Sequence, residues 1–309
     1  MNIKVLQVYR FKLPFHFPLT VADKILTARE GFIIEIISQQ GKSGYGEIAP
    51  FPGLHKENLD SVLQELQLNW PKLKENDWQH SFSPSGMDFD KIMASLALSP
   101  SVRFGLEMAL FNLLSNSAEK PLYKMWNNSV PKCLNLNGLL TGTPAAILTQ
   151  AKRLMEQDYR AIKLKVGRQS LKEDIRLVEN VRSTIGDEVD LRLDANKAWS
   201  LTDAVAFGEA VNEYGIEYLE EPLQNPKDIP NLKATDTLPL ALDESLKEIA
   251  IREGHFYKNL HAIVIKPSVS GSVERTIDLC LWARVLKPSA GKWMWIRSPG
   301  TALSLERIG

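Results

Sequence analysis

The sequence predicts an α/β protein in which an α+β capping domain at residues 1–130 precedes a TIM-type (β/α) barrel domain at residues 131–309. Three observations carry this expectation. Strand-like alternation comes before helical spacing in the first part of the chain. From about Cys133 short apolar strands alternate with amphipathic helices, the rhythm of parallel βα units with right-handed crossovers. No glycine-rich nucleotide loop is present to favour an open doubly wound sheet. A length of 309 residues suits this plan and buries a large core without covalent staples.

In chain order, residues 5–11 and 32–37 read as strands, and 41–46 supply turn residues before Glu47. Helical spacing follows over 58–73 and 101–114, as in Val102, Leu106, Ala109, Leu110 and Leu113. Residues 77–90, with Ser81, Ser83, Pro84, Ser85 and Gly86, read as a loop. The barrel strands are expected at 133–140, 161–166, 190–194, 216–219, 238–242, 262–265 and 292–296, with helices such as 171–184 and 201–213 between them.

Composition narrows the function classes. Thirty-seven Lys+Arg balance 37 Asp+Glu, which argues against a nucleic-acid or polyanion partner. Cys133 and Cys280 are far apart and form no CxxC, as suits a reducing compartment. The N-terminus shows no secretory pattern, and the best apolar run, 31–37, is short and broken by Glu35. The expectation is a cytoplasmic protein with a small-molecule partner and no membrane. Monomer and homo-oligomer both remain open. The five histidines show no zinc spacing and read as surface or loop residues.

The chemistry is expected at the carboxyl ends of the barrel strands. Successive ends read Lys163-Leu164-Lys165, Arg192-Leu193-Asp194-Ala195-Asn196, Glu220-Glu221-Pro222, Asp243-Glu244-Ser245 and Lys266-Pro267. The steps from Lys165 to Asp194, Glu220, Asp243 and Lys266 are 29, 26, 23 and 23 residues, each about one βα unit. Alone, a Lys-x-Lys is a solvated face, a Glu-Glu-Pro a loop boundary and an Asp-Glu-Ser a helix cap. Recurring at consecutive strand ends, they converge on one rim. Alternation puts Arg192 one layer below Asp194 and Asn196 one layer above. Three carboxylates make an oxygen site suited to Mg²⁺, with Mn²⁺ as the substitute ion. A lysine in such a pocket is expected to have a lowered pKa and to act as a base.

These motifs resemble the enolase superfamily, in its muconate-lactonising-enzyme subgroup, and most closely its o-succinylbenzoate synthase family. Gly46-Glu47-Ile48-Ala49-Pro50-Phe51-Pro52-Gly53-Leu54 is similar to that family's GE-x-x-P-x-PGL stretch, and Pro100–Glu107 to its PS-x-RF-x-LE helix. The resemblance implies Asp194, Glu220 and Asp243 as Mg²⁺ ligands and Lys165 as the base that removes the proton α to a carboxylate. The same lysine returns that proton to a departing hydroxyl. Lys266 stabilises the enediolate, and Lys163 holds Lys165 in place and unprotonated. Arg192 and Asn196 are implied substrate contacts, and so is Arg29, in a loop at 17–30 that closes over substrate. The implied reaction is a dehydration in menaquinone biosynthesis.

Epimerisation or racemisation of dipeptides or N-acyl amino acids, and cycloisomerisation, use the same residues and stay open. After Ala283 the resemblance fails. The chain shows a strand at 292–296 and a helix at 302–308 where the family has a seventh strand, helix and eighth strand. The family's (β/α)7β barrel is therefore expected to be truncated here, and an inactive barrel is a further reading.

Overall fold

The structure is a computed structural model that describes residues 1–21, 24–78, 87–125, 136–234, 239–247 and 259–286. They group into two compact units, Met1–Lys132 with Lys266–Leu279, and Cys133–Ile265 with the described residues from Cys280.

The first unit begins with an antiparallel sheet of β1 (Ile3–Val21), β2 (Lys24–Ser38) and β3 (Ser43–Ile48), in that order. Phe32, Ile34 and Ile36 alternate along β2 and are buried, so the pleat delivers one face to the core. α1 (Leu59–Glu75) and α3 (Pro100–Ser117) form over the two helical patterns of the sequence, and α2 (Met87–Ser95) comes between them. A capping box between Asn58 and Ser61 starts α1. Its Val62, Leu66 and Leu73 join Leu106, Leu110 and Leu113 of α3 in one apolar cluster with the sheet. Glycines decide how closely α3 lies on β3. A Cβ on Gly46 would strike the Gly105 carbonyl, and one on Gly105 would strike Ile48 and the Glu47 carbonyl.

Two expectations change here. Residues 17–30 are not an open loop, because the described part extends the β1–β2 hairpin. Leu19 pairs with Leu26 and Leu13 with Arg29, across a register shift between Pro14 and Leu19. The run Ile25-Leu26-Thr27 has the apolar, β-branched character that favours pairing. The expected loop at 77–90 also ends early, since α2 begins at Met87.

The second unit holds a six-stranded parallel sheet in consecutive order: β4 (Gly138–Leu140), β5 (Ala161–Lys165), β6 (Asp190–Asp194), β7 (Ile216–Glu220), β8 (Leu240–Leu242) and β9 (Leu260–Ile263). Between them run α4 (Pro144–Glu156), α5 (Leu171–Ile185) and α6 (Leu201–Val211). This succession is that of a (β/α) barrel. Side-chain oxygens of Thr143, Ser170 and Ser200 cap the three helices, and Pro144 opens the first turn of α4. The buried Arg182 donates to the carbonyls of Gly186, Val189, Tyr214 and Gly215, tying the end of α5 to the starts of β6 and β7. The expected strand at 292–296 and helix at 302–308 lie outside the described residues.

After β9 come α7 (Pro267–Ser270) and α8 (Val273–Leu286). Lys266–Leu279 falls inside the barrel domain expected at 131–309, yet it groups with the first unit. Glu107 of α3 accepts from the Val273 N–H at 2.7 Å. The His55 Nδ1 accepts from the Phe51 N–H at 3.0 Å, which leaves its Nε2 to donate to the Ser268 carbonyl at 3.1 Å. Among the histidines, His55 is therefore a tie within this unit rather than a bystander.

Candidate active site

The strand register places the charged residues side by side. Lys163 is opposite Arg192, Lys165 opposite Asp194, and Asp194 opposite Glu220. Parallel pairing in this register brings the ends of β5, β6 and β7 to one level, so Lys163, Lys165, Asp194 and Glu220 form a cluster rather than a list of surface charges. Leu164, Leu191, Leu193 and Leu219 alternate with them and are buried.

Lys163 is the hub. Its Nζ lies 2.7 Å from Asp194 Oδ2 and 2.7 Å from both oxygens of Glu220. Lys165 is more open and donates to Asp194 Oδ2 and Asn196 Oδ1, each at 2.5 Å. Asp194 Oδ1 in turn accepts from the Asn196 N–H at 3.0 Å. The structure thus assembles Lys163, Lys165, Asp194, Asn196 and Glu220. Asp243 closes β8 and is buried, and its charge reaches Glu220.

Burial and charge act in opposition here. Burial alone would lower the pKa of Lys163, but the carboxylates of Glu220 and Asp194 outweigh it and hold the ammonium above the usual lysine range. Burial would raise Asp194, yet its two lysines bring it down. Glu220 is raised by burial and by the neighbouring Asp194, with Asp243 adding to the effect against Lys163. With Asp243, three carboxylates meet two lysines, a surplus of one negative charge.

That surplus bears on a metal. Among the described residues no three acidic, imidazole or thiol groups stand in a metal-holding cluster. The donor chemistry nevertheless fits a hard divalent cation. All three candidate ligands are carboxylates, and the buried Glu220 Oε2 has the Lys163 ammonium at 2.7 Å. A cation between Asp194, Glu220 and Asp243 would relieve the repulsion that raises Glu220.

The remaining expected site residues make contacts of their own. Arg192 lies a layer deeper, donating to Glu217 at 2.5 Å and to Asn137 at 3.4 Å, with its guanidinium 5.4 Å from the Tyr218 ring centre. A register shift between Leu191 and Arg192 skips Glu217 in the pairing and lets both Glu217 and Tyr218 meet this arginine. Arg29 is buried in the first unit, donating to the Ala49 and Pro50 carbonyls with its guanidinium over Phe51. Lys266 follows β9 directly, and its carbonyl accepts from Val269 and Ser270.

Two carboxylates escaped the sequence reading. Asp174 of α5 accepts from the Gly167 N–H at 2.8 Å, holding the turn after Lys165. Glu221 accepts from the backbone of Asp243 and Ser245. The Glu-Glu-Pro motif contained the second of these, but a place at a strand end does not show which backbone its carboxylate meets.

A family model described as "MenC, N-terminal domain" matches residues 3–113, and one described as "Enolase C-terminal domain-like" matches residues 146–290. Protein PHYLLO, chloroplastic, of Arabidopsis thaliana is 34% identical over 277 residues, covering 83% of this chain. This chain spans only 16% of the Arabidopsis protein's length. The o-succinylbenzoate synthase of Vibrio cholerae serotype O1 (strain M66-2) is 33% identical over 289 residues, 90% of this chain and 77% of that protein. Among solved structures, the dipeptide epimerase from Enterococcus faecalis V583 complexed with Mg and the dipeptide L-Leu-L-Tyr superposes with a TM-score of 0.82. The match covers 96% of this chain and 83% of that one, at 22% identity, and is a likeness of fold alone. By these matches in both of its segments, the chain belongs to the enolase superfamily, in the muconate-lactonising subgroup, among the o-succinylbenzoate synthase sequences.

Proposed function

We propose that this chain is a Mg²⁺-dependent dehydratase that converts 2-succinyl-6-hydroxy-2,4-cyclohexadiene-1-carboxylate to o-succinylbenzoate, a cytoplasmic step of menaquinone biosynthesis. The observation that carries this reading is Lys165 at the end of β5, hydrogen-bonded to Asp194 within a carboxylate cluster. The likeness to an o-succinylbenzoate synthase over nine tenths of the chain supports this choice of reaction.

Lys165, in its neutral form, takes the proton from the carbon α to the substrate carboxylate, and the C–H electron pair enters the enediolate. The ring C–O bond then breaks, and the hydroxyl leaves as water with the proton that Lys165 returns, so the base ends as it began. Asn196 and Asp194 orient the Lys165 ammonium between these two transfers. The Lys266 side chain contributes positive charge to the enediolate oxygens, where stabilisation counts most in the transition state. Asp194, Glu220 and Asp243 would hold Mg²⁺, which supplies Lewis-acid stabilisation of carboxylate oxygens when bound. Arg192, implied by the resemblance as a substrate contact, has Glu217, Asn137 and Tyr218 among its partners.

An ultraviolet assay on the cyclohexadiene substrate tests the reading. Mg²⁺-dependent conversion, abolished by EDTA and reduced at least about 10²-fold in Lys165→Ala, is the expected result. Folded protein that fails to convert this substrate in saturating Mg²⁺ rejects it. Dipeptide epimerisation is the second reading, favoured by the fold of the Enterococcus enzyme. A panel of dipeptides and N-acyl amino acids in D₂O distinguishes the two, since epimerisation exchanges the α-proton without loss of water.

A further inference from the structure

We propose that Glu221 is a positioning residue whose buried carboxylate fixes the end of β8 and thereby places Asp243 relative to Glu220. The inference rests on the reading of Glu220 and Asp243 as cation ligands.

The local chain explains how adjacent glutamates take different tasks. β7 ends at Glu220, and Glu221 adopts a left-handed backbone with φ of 43°. This conformation is unfavourable for a residue with a Cβ and needs compensation from its surroundings. It turns the two side chains apart: Glu220 meets Lys163, while Glu221 reaches across to the neighbouring strand. There Oε1 accepts from the Asp243 N–H at 2.6 Å and from the Ser245 N–H at 2.8 Å. Oε2 accepts from the Ser245 hydroxyl at 2.7 Å. The Glu221 N–H adds a bond to the Ala241 carbonyl at 3.1 Å, so one residue spans β8 from Ala241 to Ser245.

Glu221 is 1% exposed and Ser245 is fully buried. A carboxylate taken out of water is costly unless its oxygens are hydrogen-bonded. Here three donors meet it. A cation site built from side chains on separate strands depends on the angstrom-scale placement of their backbones, and groups behind the ligands commonly set that placement. Glu221 is bonded to the residue that bears Asp243 and is covalently joined to Glu220, so it is the shortest mechanical link between the two.

The link depends on reach, and the following variants separate reach from charge. Glu221→Gln keeps the length, since its Oε1 can accept both backbone N–H groups and its amide can donate to the Ser245 hydroxyl. Glu221→Asp keeps the charge but is one methylene short. Titration calorimetry of the full chain with Mg²⁺ alone, beside circular dichroism melts, is the readout. Glu221→Gln is expected to bind Mg²⁺ within about threefold of the parent, and Glu221→Asp and Glu221→Ala at least about tenfold more weakly. Should Glu221→Ala fail to fold, the Gln and Asp pair decides alone. Equal affinity in the parent and Glu221→Asp overturns the proposal, as does a Gln variant as weak as the Asp variant. A parent that takes up no Mg²⁺ overturns it together with the metal site. A parent that binds Mg²⁺, shows the Gln–Asp difference and leaves the cyclohexadiene unconverted sinks the dehydratase reading and upholds the role of Glu221.

Discussion

Lys163 and Lys165 share one face of β5 and two residues of sequence, yet their surroundings differ. Lys163 is enclosed by Asp194 and Glu220, whereas Lys165 has part of its side chain in the open. Removing the charge of Lys163 leaves two buried carboxylates against each other, and Lys163→Met in metal-free buffer is expected to cost about 3 kcal/mol in urea unfolding. Unchanged stability there removes Lys163 from its place as the hub. At this scale the sequence was informative because charged residues at strand ends contradict apolar packing, and a count of 23 to 29 residues between them is visible without coordinates. It could not show that Lys163 keeps its proton, since that follows from contacts across 31 and 57 residues of chain. Nor could it show Glu217 beneath Arg192, which a one-residue register shift delivers.

Among the elements, the parallel strands were legible where short apolar runs alternated with helical spacing, as at 161–166 before 171–184. The long β1–β2 hairpin was not, because residues 17–30 have no strict alternation and their order comes from antiparallel partners. The start of α8 carries a different lesson. Its Glu274 carboxyl is pushed up to about 7, chiefly by a hydrogen bond with Asp90, then by burial and by the charges of Asp90 and Asp278, against Arg103. The ordinary value is 4.5, so the folded chain holds this proton more firmly than the unfolded one. The contribution to stability is complete below about pH 4.5 and is lost as pH rises through about 7. Glu274→Gln stays neutral throughout. It is expected to melt above the parent at pH 8 and level with it at pH 5, and thermal scans showing the opposite order would dismiss the paired carboxyls.

For the whole molecule, a cation that binds the folded chain alone must stabilise it. Mg²⁺ at a hundred times its Kd adds about 2.7 kcal/mol, which raises Tm by several degrees. Asp243→Asn is expected to lose most of that gain, and a parent whose Tm ignores Mg²⁺ and EDTA alike argues against the site. The change of texture near Cys133 was readable, since it is a property of the sequence. The return of Lys266–Leu279 to the first unit was not, because Glu107–Val273 and His55–Ser268 are ties across 166 and 213 residues. This return has a consequence for recombination. A crossover at residue 132 that grafts a relative's N-terminal half onto this barrel would bring a foreign partner to Ser268 and Val273. Chimaeras intended to exchange substrate preference must therefore be cut in three places, so that residues 266–279 travel with the half to which they are bonded.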